Sequence, residues 1–450
     1  YRLNTSNIAH VISFARSSNS FNKNIEKDNP QKLDVCDLNG YAPATHKEGK
    51  VSRSDLAADQ IDIGSYLASP RFQRIIISQQ SLGQSDKALR IAIFGYHIRF
   101  TAHEDISGKF GQEAANNNIR RLLDISLPKN MDATGWNGYA KRAINSYVPI
   151  FDTQDKLVAD RYPADERKFE IGDIKTFNHL ACENKVLNEH GKWQGIEGLG
   201  VLKGDVDNLG SIFQHGQDKP NFAKMAALSR QMNAFFAIYL PALCKQEFKN
   251  VYTVFAGGDD FFLVGPWYDL MKLASKMQEE FSRYCANNKE LHFSAGLMLT
   301  KAGVAISYLA AQAEESLEKA KAQDGKNAVH CLQHTMSWNT FGKTLEACEQ
   351  LNDWQQHYTL STGFLYALLQ WSDMATAEKK LPTQAIWRSQ VSYRVFRHLE
   401  SDKNYKHNRD LLLTHSRQLT ADIGEKISSL QQGYRVAVTT HLYRYRNTSH

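Results

Sequence analysis

Between residues 199 and 332 the apolar positions change period several times, and each change marks an element. Leu199-Gly200-Val201-Leu202-Lys203-Gly204-Asp205-Val206 reads as a strand running into acidic residues. A helical stretch follows from Phe222 to Phe248. Next come two runs rich in aromatic and β-branched residues, Tyr252 through Trp267, which flank Gly257-Gly258-Asp259-Asp260 and predict a β-hairpin. A second helix is expected over Tyr268 to Asn287, a strand over Leu291 to Leu299 and a third helix over Ala305 to Ala322. A short apolar run, Ala328 to Leu332, closes the series. The order β-α-β-β-α-β, with additions, predicts a ferredoxin-like unit over 165–335, with its first strand beside the hairpin. From 336 to 450 the apolar positions (Trp338, Phe341, Leu345, Leu351, Trp354, then Leu360 to Trp371 and Ile386 to Leu399) recur at helical spacing and predict an all-helical domain. Ser361 is placed to cap one of its helices. Upstream, Arg74 to Ser78 and Leu89 to Phe100 predict two strands of a small β-rich connector over 71–164. Residues 1–70 hold a helix-like stretch, Ile8 to Ala15, a polar run, Ser17 to Lys32, and a linker. The fold class is α+β.

The hairpin tip carries the chemistry. Glycines 257 and 258 give backbone freedom and leave room for a bulky ligand. The adjacent carboxylates of Asp259 and Asp260 are costly to hold together without a cation. Taken alone, the tip is equally well a solvated Asp turn. Asp205 and Asp207 add a second acidic pair, and being two apart they project to one side if the strand extends that far. A strand ending in Asp-x-Asp beside a Gly-Gly-Asp-Asp hairpin is how palm-type nucleotidyl polymerases and cyclases hold two divalent metals. Those metals, about 3.5–4 Å apart, activate a 3′-hydroxyl and stabilise the pyrophosphate leaving group. No Gly-x-x-x-x-Gly-Lys-Ser/Thr occurs, which argues against a P-loop ATPase.

Composition narrows the setting. The chain has 450 residues, 42% hydrophobic and 23% charged, as expected of about three globular domains. No run is apolar and long enough to cross a membrane. A net charge of +6 permits nucleic-acid contact without demanding it. Six scattered cysteines with no Cys-x-x-Cys pair fit a reducing cytoplasm rather than a disulfide framework or a four-cysteine zinc site. Tyr393 to His398 and Tyr434 to Arg446 mix Arg with aromatic residues, a pattern shared by RNA-binding surfaces and ordinary amphipathic helices. The first residue is Tyr1 rather than Met, so the sequence is expected to be a fragment of a longer reading frame.

Four segments carry a resemblance to a known family. They are Asp205-Val206-Asp207-Asn208-Leu209-Gly210-Ser211-Ile212-Phe213, then Leu228-Ser229-Arg230 with Phe235-Phe236, then Phe255 through Gly265-Pro266-Trp267, and lastly Ser294-Ala295-Gly296. Together they resemble the large polymerase subunit of type III CRISPR effectors, nearest its type III-A (Csm) branch, with a GGDEF/cyclase-like palm. The wider GGDEF cyclase group lacks the Gly-Pro-Trp after the hairpin; it shares Ala320-Lys321 and Gly325-Lys326-Asn327. The resemblance implies synthesis of cyclic oligoadenylates from ATP when the assembled complex, with other subunits and a guide RNA, captures a target RNA. It implies Mg²⁺ or Mn²⁺ held by Asp205, Asp260 and the Val206 carbonyl, with Asp259 as second ligand or electrostatic support and Asp207 a weaker candidate. Lys321 and Lys326 stand where that motif places phosphate-binding cations, and Gly257 and Gly258 let the α-phosphate approach the backbone. Ser229 and Arg230 are candidates for the base or ribose pocket.

Departures from the family pattern carry expectations too. The family's zinc-binding insert is reduced here to Cys36, with Asn39 and the Asp59-to-Asp62 region where further cysteines would stand, so no zinc is expected. No His is followed by Asp anywhere, so the family's amino-terminal nuclease is not expected in these residues. Only one palm is found, and a second nucleotide-binding surface is expected from elsewhere. Two rival readings remain: a diguanylate-cyclase-like GGDEF enzyme, although Asp260-Phe261 replaces its Glu-Phe, and a catalytically idle scaffold subunit of an RNA-guided complex.

Overall fold

A computed structural model describes residues 35–38, 40, 42–49, 51–69, 71–79, 88–91, 96–101, 119–127, 140–142, 147–216, 218–378, 380–405 and 407–446. The helix expected at Ile8 to Ala15, the polar run to Lys32 and Asn39 lie outside the described residues. Two units are formed, residues 1–145 and 146–450.

In the first unit His46–Glu48 (β1) pairs antiparallel with Val51–Arg53 (β2). Ser54 caps helix Asp55–Ala68 (α1) by accepting the Ala57 amide. Cys36 is buried inside a backbone turn, its amide donating to Ala42 and its carbonyl accepting from Gly40, both at 2.8 Å. Arg74–Ser78 (β3) sits at the centre of a five-stranded sheet ordered β4-β5-β3-β6-β7, with Ala88–Ile91 (β4), Tyr96–Thr101 (β5), Ile119–Asp124 (β6) and Ala140–Lys141 (β7). The expected strand from Leu89 to Phe100 is in fact two, because Ile91 pairs back with Tyr96 as an antiparallel partner. Phe72, Ile75, Phe100 and Ile125 form the core, with Tyr66 of α1 packed on Phe72 and Phe100.

The second unit begins at residue 146, whereas the apolar pattern sets the palm's start at 165. Residues 147–164 join it because the edge of the palm needs a partner: the Thr253 amide donates to the Tyr147 carbonyl at 3.0 Å. Its first elements are short: Thr153–Leu157 (α2), Phe177–Cys182 (α3), Val186–Leu187 (β8) and Trp193–Gln194 (β9). Lys175 lies among them with a fully buried side chain. Its ammonium donates to Asp155 at 2.7 Å, Glu183 at 2.6 Å and the Asn250 side chain at 2.8 Å. Phe151 presents its ring face to the same ammonium at 5.3 Å. Arg161 and the Tyr162 hydroxyl complete the shell of Glu183.

The palm follows: Leu199–Val206 (β10), Leu209–His215 (α4), Phe222–Ala234 (α5), Leu240–Glu247 (α6), Tyr252–Gly257 (β11), Asp260–Pro266 (β12), Trp267–Tyr284 (α7), Phe293–Thr300 (β13), Ile306–Lys321 (α8), Ala328–Cys331 (β14) and His334–Ser337 (β15). The sheet order is β11-β12-β10-β13-β14-β15. Its first four strands are the ferredoxin-like arrangement, with α8 crossing over to make β14 parallel to β13.

Alternation along β10 sorts the two faces. Leu202 and Val206 enter the large core with α5–α7, while Leu199 and Val201 pack with Leu180 of α3 and Leu309 and Ala313 of α8. Lys203 and Asp205 continue that second face toward the strand's end. Between α5 and α6 the helix widens into one π turn, Phe235–Tyr239, which sends the consecutive Phe235 and Phe236 both into the core. The Gly-Pro-Trp motif has a packing reason. Trp267 is buried across the strand, and a Cβ at Gly198 or Gly200 would lie 2.8 or 2.9 Å from its atoms.

Gly296 on β13 lets α8 approach. A Cβ there would lie 2.4 Å from the Leu317 backbone nitrogen, which no side-chain rotation relieves. Gly296→Ala is therefore expected to destabilise the unit by about 1–3 kcal/mol through overpacking. A urea midpoint equal to wild type, at equal slope, would contradict this.

The C-terminal helices are Trp338–Tyr358 (α9), Thr362–Ala377 (α10), Trp387–Ser401 (α11), Arg409–Leu430 (α12) and Gln432–Tyr445 (α13). Ser361 caps α10 by accepting the Phe364 amide, as expected. These helices do not keep a core of their own. Trp338 Nε1 donates to the Phe293 carbonyl at 2.9 Å, and one apolar cluster runs from Leu202 to Val438. Arg444 of α13 stacks over the Tyr268 ring of α7 at 4.1 Å and pairs with Glu349 at 3.1 Å.

Candidate active site

The site grows from register. β10 and β12 run antiparallel with Asp205 directly opposite Asp260, a pairing that holds Cβ atoms about 4.5–5.5 Å apart on one face. Gly257 pairs with Asp260 to close the hairpin, and the Val206 amide donates to the Asp259 carbonyl at 3.0 Å. The tip is thus tied to the end of β10 by backbone alone. Gly258 adopts φ +69°, the left-handed conformation a two-residue hairpin turn requires.

Two lysines expected at the site arrive from one segment. Lys321, last residue of α8, donates to Asp205 Oδ2 at 2.6 Å, and Lys326 donates to Asn208 Oδ1 at 2.7 Å. Burial first, and then the charges of Asp259 and Asp207, raise the Asp205 carboxyl above its ordinary value against the pull of Lys321. Asp260 is raised too, by burial and then by Asp259 and Asp205. Burial acts to lower Lys321, but its bond to Asp205 and that carboxylate's charge outweigh burial, and the ammonium is held more firmly protonated.

The carboxylates do not close into a cage as they stand. Among the described residues, no three His, Cys, Asp or Glu side chains lie together so as to hold a metal ion. One oxygen of Asp205 is already engaged by Lys321. The donor chemistry nevertheless fits a hard divalent cation: two carboxylates on one face, each raised first by burial and then by its acidic neighbours, which a cation would compensate.

Asp207 keeps the side that its spacing from Asp205 predicts, but it is covered there. The strand ends at Val206, yet its register runs on for one residue: the Asp207 amide donates to the His292 carbonyl and its carboxylate accepts from Ser294, the residue opposite Asp205. Asp207 therefore lies on the Asp205 face, 1% exposed beneath the Asn327 backbone. Ser229 and Arg230 are exposed on α5. The α5 residue that reaches the tip is Asn233, whose Oδ1 accepts the Gly258 amide at 2.9 Å and faces Gly257, where a Cβ would lie 3.4 Å away. Sequence reasoning missed it, although it lies four residues after Ser229 and so on the same helical face. Lys203, which pairs with Glu314 of α8 on the Asp205 face, and Asn208 were also missed.

A six-stranded sheet with a ferredoxin-like half and acids paired across β10 and the hairpin defines a palm of the polymerase and cyclase type. Residues 198–330 match the family model for the Cas10/Cmr2 second palm domain. The match covers the palm from β10 to β14. A curated relative from Methanocaldococcus jannaschii, named CRISPR system single-strand-specific deoxyribonuclease Cas10/Csm1 (subtype III-A), is 32% identical over 177 residues, covering 34% of this chain and 22% of its own. The same-named protein of Thermococcus onnurineus is 32% identical over 199 residues, covering 41% and 22%. The chain thus spans under a quarter of the length of these relatives. Among solved structures, a Csm1–Csm4 subcomplex of the type III-A interference complex aligns at TM-score 0.54 and 17% identity over 86% of this chain and 50% of that one. Csm1 of T. onnurineus aligns at 0.52 and 18%, over 89% and 54%.

Proposed function

We propose that this chain is the nucleotidyl-transfer part of a type III-A RNA-guided effector, making cyclic oligoadenylates from ATP when target RNA is bound. The observation that carries the reading is the direct cross-strand pairing of Asp205 with Asp260, with Lys321 and Lys326 converging on the same end of the sheet. Asp205, Asp259, Asp260 and the Val206 carbonyl would hold Mg²⁺ or Mn²⁺. Bound there, the ions would lower the pKa of an attacking 3′-hydroxyl and neutralise the leaving pyrophosphate. Lys321 keeps Asp205 compensated at rest and is placed to turn to a phosphate once that carboxylate is otherwise engaged. Lys326 supplies a second cation for charge that develops on the triphosphate. The small profile of Gly257 and Gly258 leaves the backbone open to the α-phosphate, and Asn233 holds their turn in shape.

The relatives' shared name supports assignment to a CRISPR system, and the Csm1–Csm4 complex supports other subunits of that assembly as partners, with guide and target RNA. Their named deoxyribonuclease activity is not assigned to these residues, which contain no His-Asp dipeptide. Cys182, Cys244, Cys285, Cys331 and Cys348 are free thiols, which fits the reducing cytoplasm, and among the described residues no helix is long and apolar enough to cross a membrane.

The test is to give the full-length protein, assembled with its subunits and target RNA, ATP or GTP separately with Mg²⁺ or Mn²⁺. Oligoadenylate from ATP alone is expected. Turnover of GTP alone would make it a diguanylate-cyclase-like enzyme, and no turnover of either would leave a scaffold.

A further inference from the structure

We infer that Asp207 is a positioning residue, acting on nucleotide phosphate through Lys326 and holding no metal. The inference rests on the nucleotidyl-transfer reading. Oδ2 of this buried carboxylate collects three donors from two other segments: His292 Nδ1 at 2.8 Å, Ser294 Oγ at 2.9 Å and the Asn327 amide at 3.0 Å. The Asp207 amide in turn donates to the His292 carbonyl at 2.9 Å. Oδ1 is enclosed by protein with no partner and the whole side chain is sealed from solvent, so neither oxygen of Asp207 is open beside the Asp205–Asp260 pair.

What this clasp holds is strained. Gly325, Lys326 and Asn327 have φ of +75°, +52° and +48°, three left-handed residues in a row of which two carry a Cβ. Such a run persists only where its surroundings over-determine it. Asp207 supplies that restraint by taking the Asn327 amide, and the turn so formed aims Lys326 at Asn208, itself at φ +53° one residue beyond Asp207. Asp207 and Asn208 therefore grip the lysine-bearing turn at adjacent points, one by its backbone and one by its side chain.

The experiment uses the full-length protein with Asp207→Asn, Lys326→Ala and the double variant. Asparagine keeps the shape but turns an amide group on the donors. Hydrogen exchange at the Asn327 amide is expected to rise about tenfold or more in Asp207→Asn. Affinity for a non-hydrolysable ATP analogue should fall by about as much as in Lys326→Ala, and the double variant should be no weaker than the worse single one. In turnover the loss should fall on KM more than on kcat, with half-saturating Mn²⁺ unchanged. Should Asp207→Asn not fold, Ser294→Ala removes one donor, keeps the charge, and should shift exchange and affinity in the same direction by a smaller factor. A shifted Mn²⁺ requirement with unaltered Asn327 exchange would make Asp207 a ligand and overturn the inference. So would faster exchange with unaltered nucleotide affinity. Equal ATP turnover by Asp205→Ala and wild type would instead sink the nucleotidyl-transfer reading, while exchange and affinity still judge the clasp.

Discussion

Replacing Asp259 and Asp260 together with alanine is expected to lower oligoadenylate formation by at least about 10²–10³-fold while leaving the fold intact. Both belong to the hairpin tip and are partly exposed, so neither fills the core. The Asp260 carboxyl is raised above its ordinary value, first by burial and then by its acidic neighbours. A raised carboxyl means the native state prefers the proton. Its charge therefore costs stability at neutral pH, and that cost disappears as pH falls through the native value. Removing the charge at neutral pH should leave the thermal midpoint equal to wild type or slightly higher. Mn²⁺ should raise the midpoint of the wild type and not of the double variant, since only a state that binds the ion is stabilised by it. Near-wild-type product from the double variant would move the active site elsewhere.

The largest effect on stability is expected at Lys175, far along the chain from the acids. Lys175→Met leaves Asp155 and Glu183 facing each other inside the protein, with Arg161 alone to compensate Glu183. Removing one member of a buried ionic cluster costs about 3–5 kcal/mol, most of it the penalty on the charges left behind. The urea midpoint should fall accordingly. Adding Asp155→Asn and Glu183→Gln to Lys175→Met should recover much of the loss, because no stranded charge then remains. A loss under about 1 kcal/mol would show that water reaches this cluster.

Much of the palm was legible because its evidence is local. Aromatic and β-branched runs around Gly257-Gly258 make a hairpin whatever surrounds them, and the strand ending at Asp205 announces itself by composition. Lys321 and Lys326 could be placed through family resemblance. What escaped depends on pairing between distant segments. Nothing near Asp207 tells that His292 and Asn327 will meet it, and so the two-residue periodicity gave its side of the sheet but not its burial beneath the 325–327 turn. Lys175 carries no local signal of its role, because its partners, Asp155, Glu183 and Asn250, lie from 8 to 75 residues away. The helices after 336 read as a separate domain because their apolar stripes are self-sufficient in pattern. Only the packing of Trp338 and Arg444 shows that the palm supplies part of their core.

The π turn at Phe235–Tyr239 has a consequence for how this site tolerates change. A π turn is an α-helix carrying one surplus residue, and each residue advances a helix by about 100°. That surplus residue sets the rotational phase of everything on α5 relative to the sheet, including Asn233 at the glycine turn. A one-residue deletion within it would keep a continuous helix, every backbone bond made, yet swing Asn233 to another side of the axis. A deletion in the loop before Phe222 carries no such penalty, because α5 is re-anchored downstream by Phe235 and Phe236. The alignment of the tip is thus stored as a residue count, and homologous palms that differ by one residue across this turn should hold their glycine turns by another side chain.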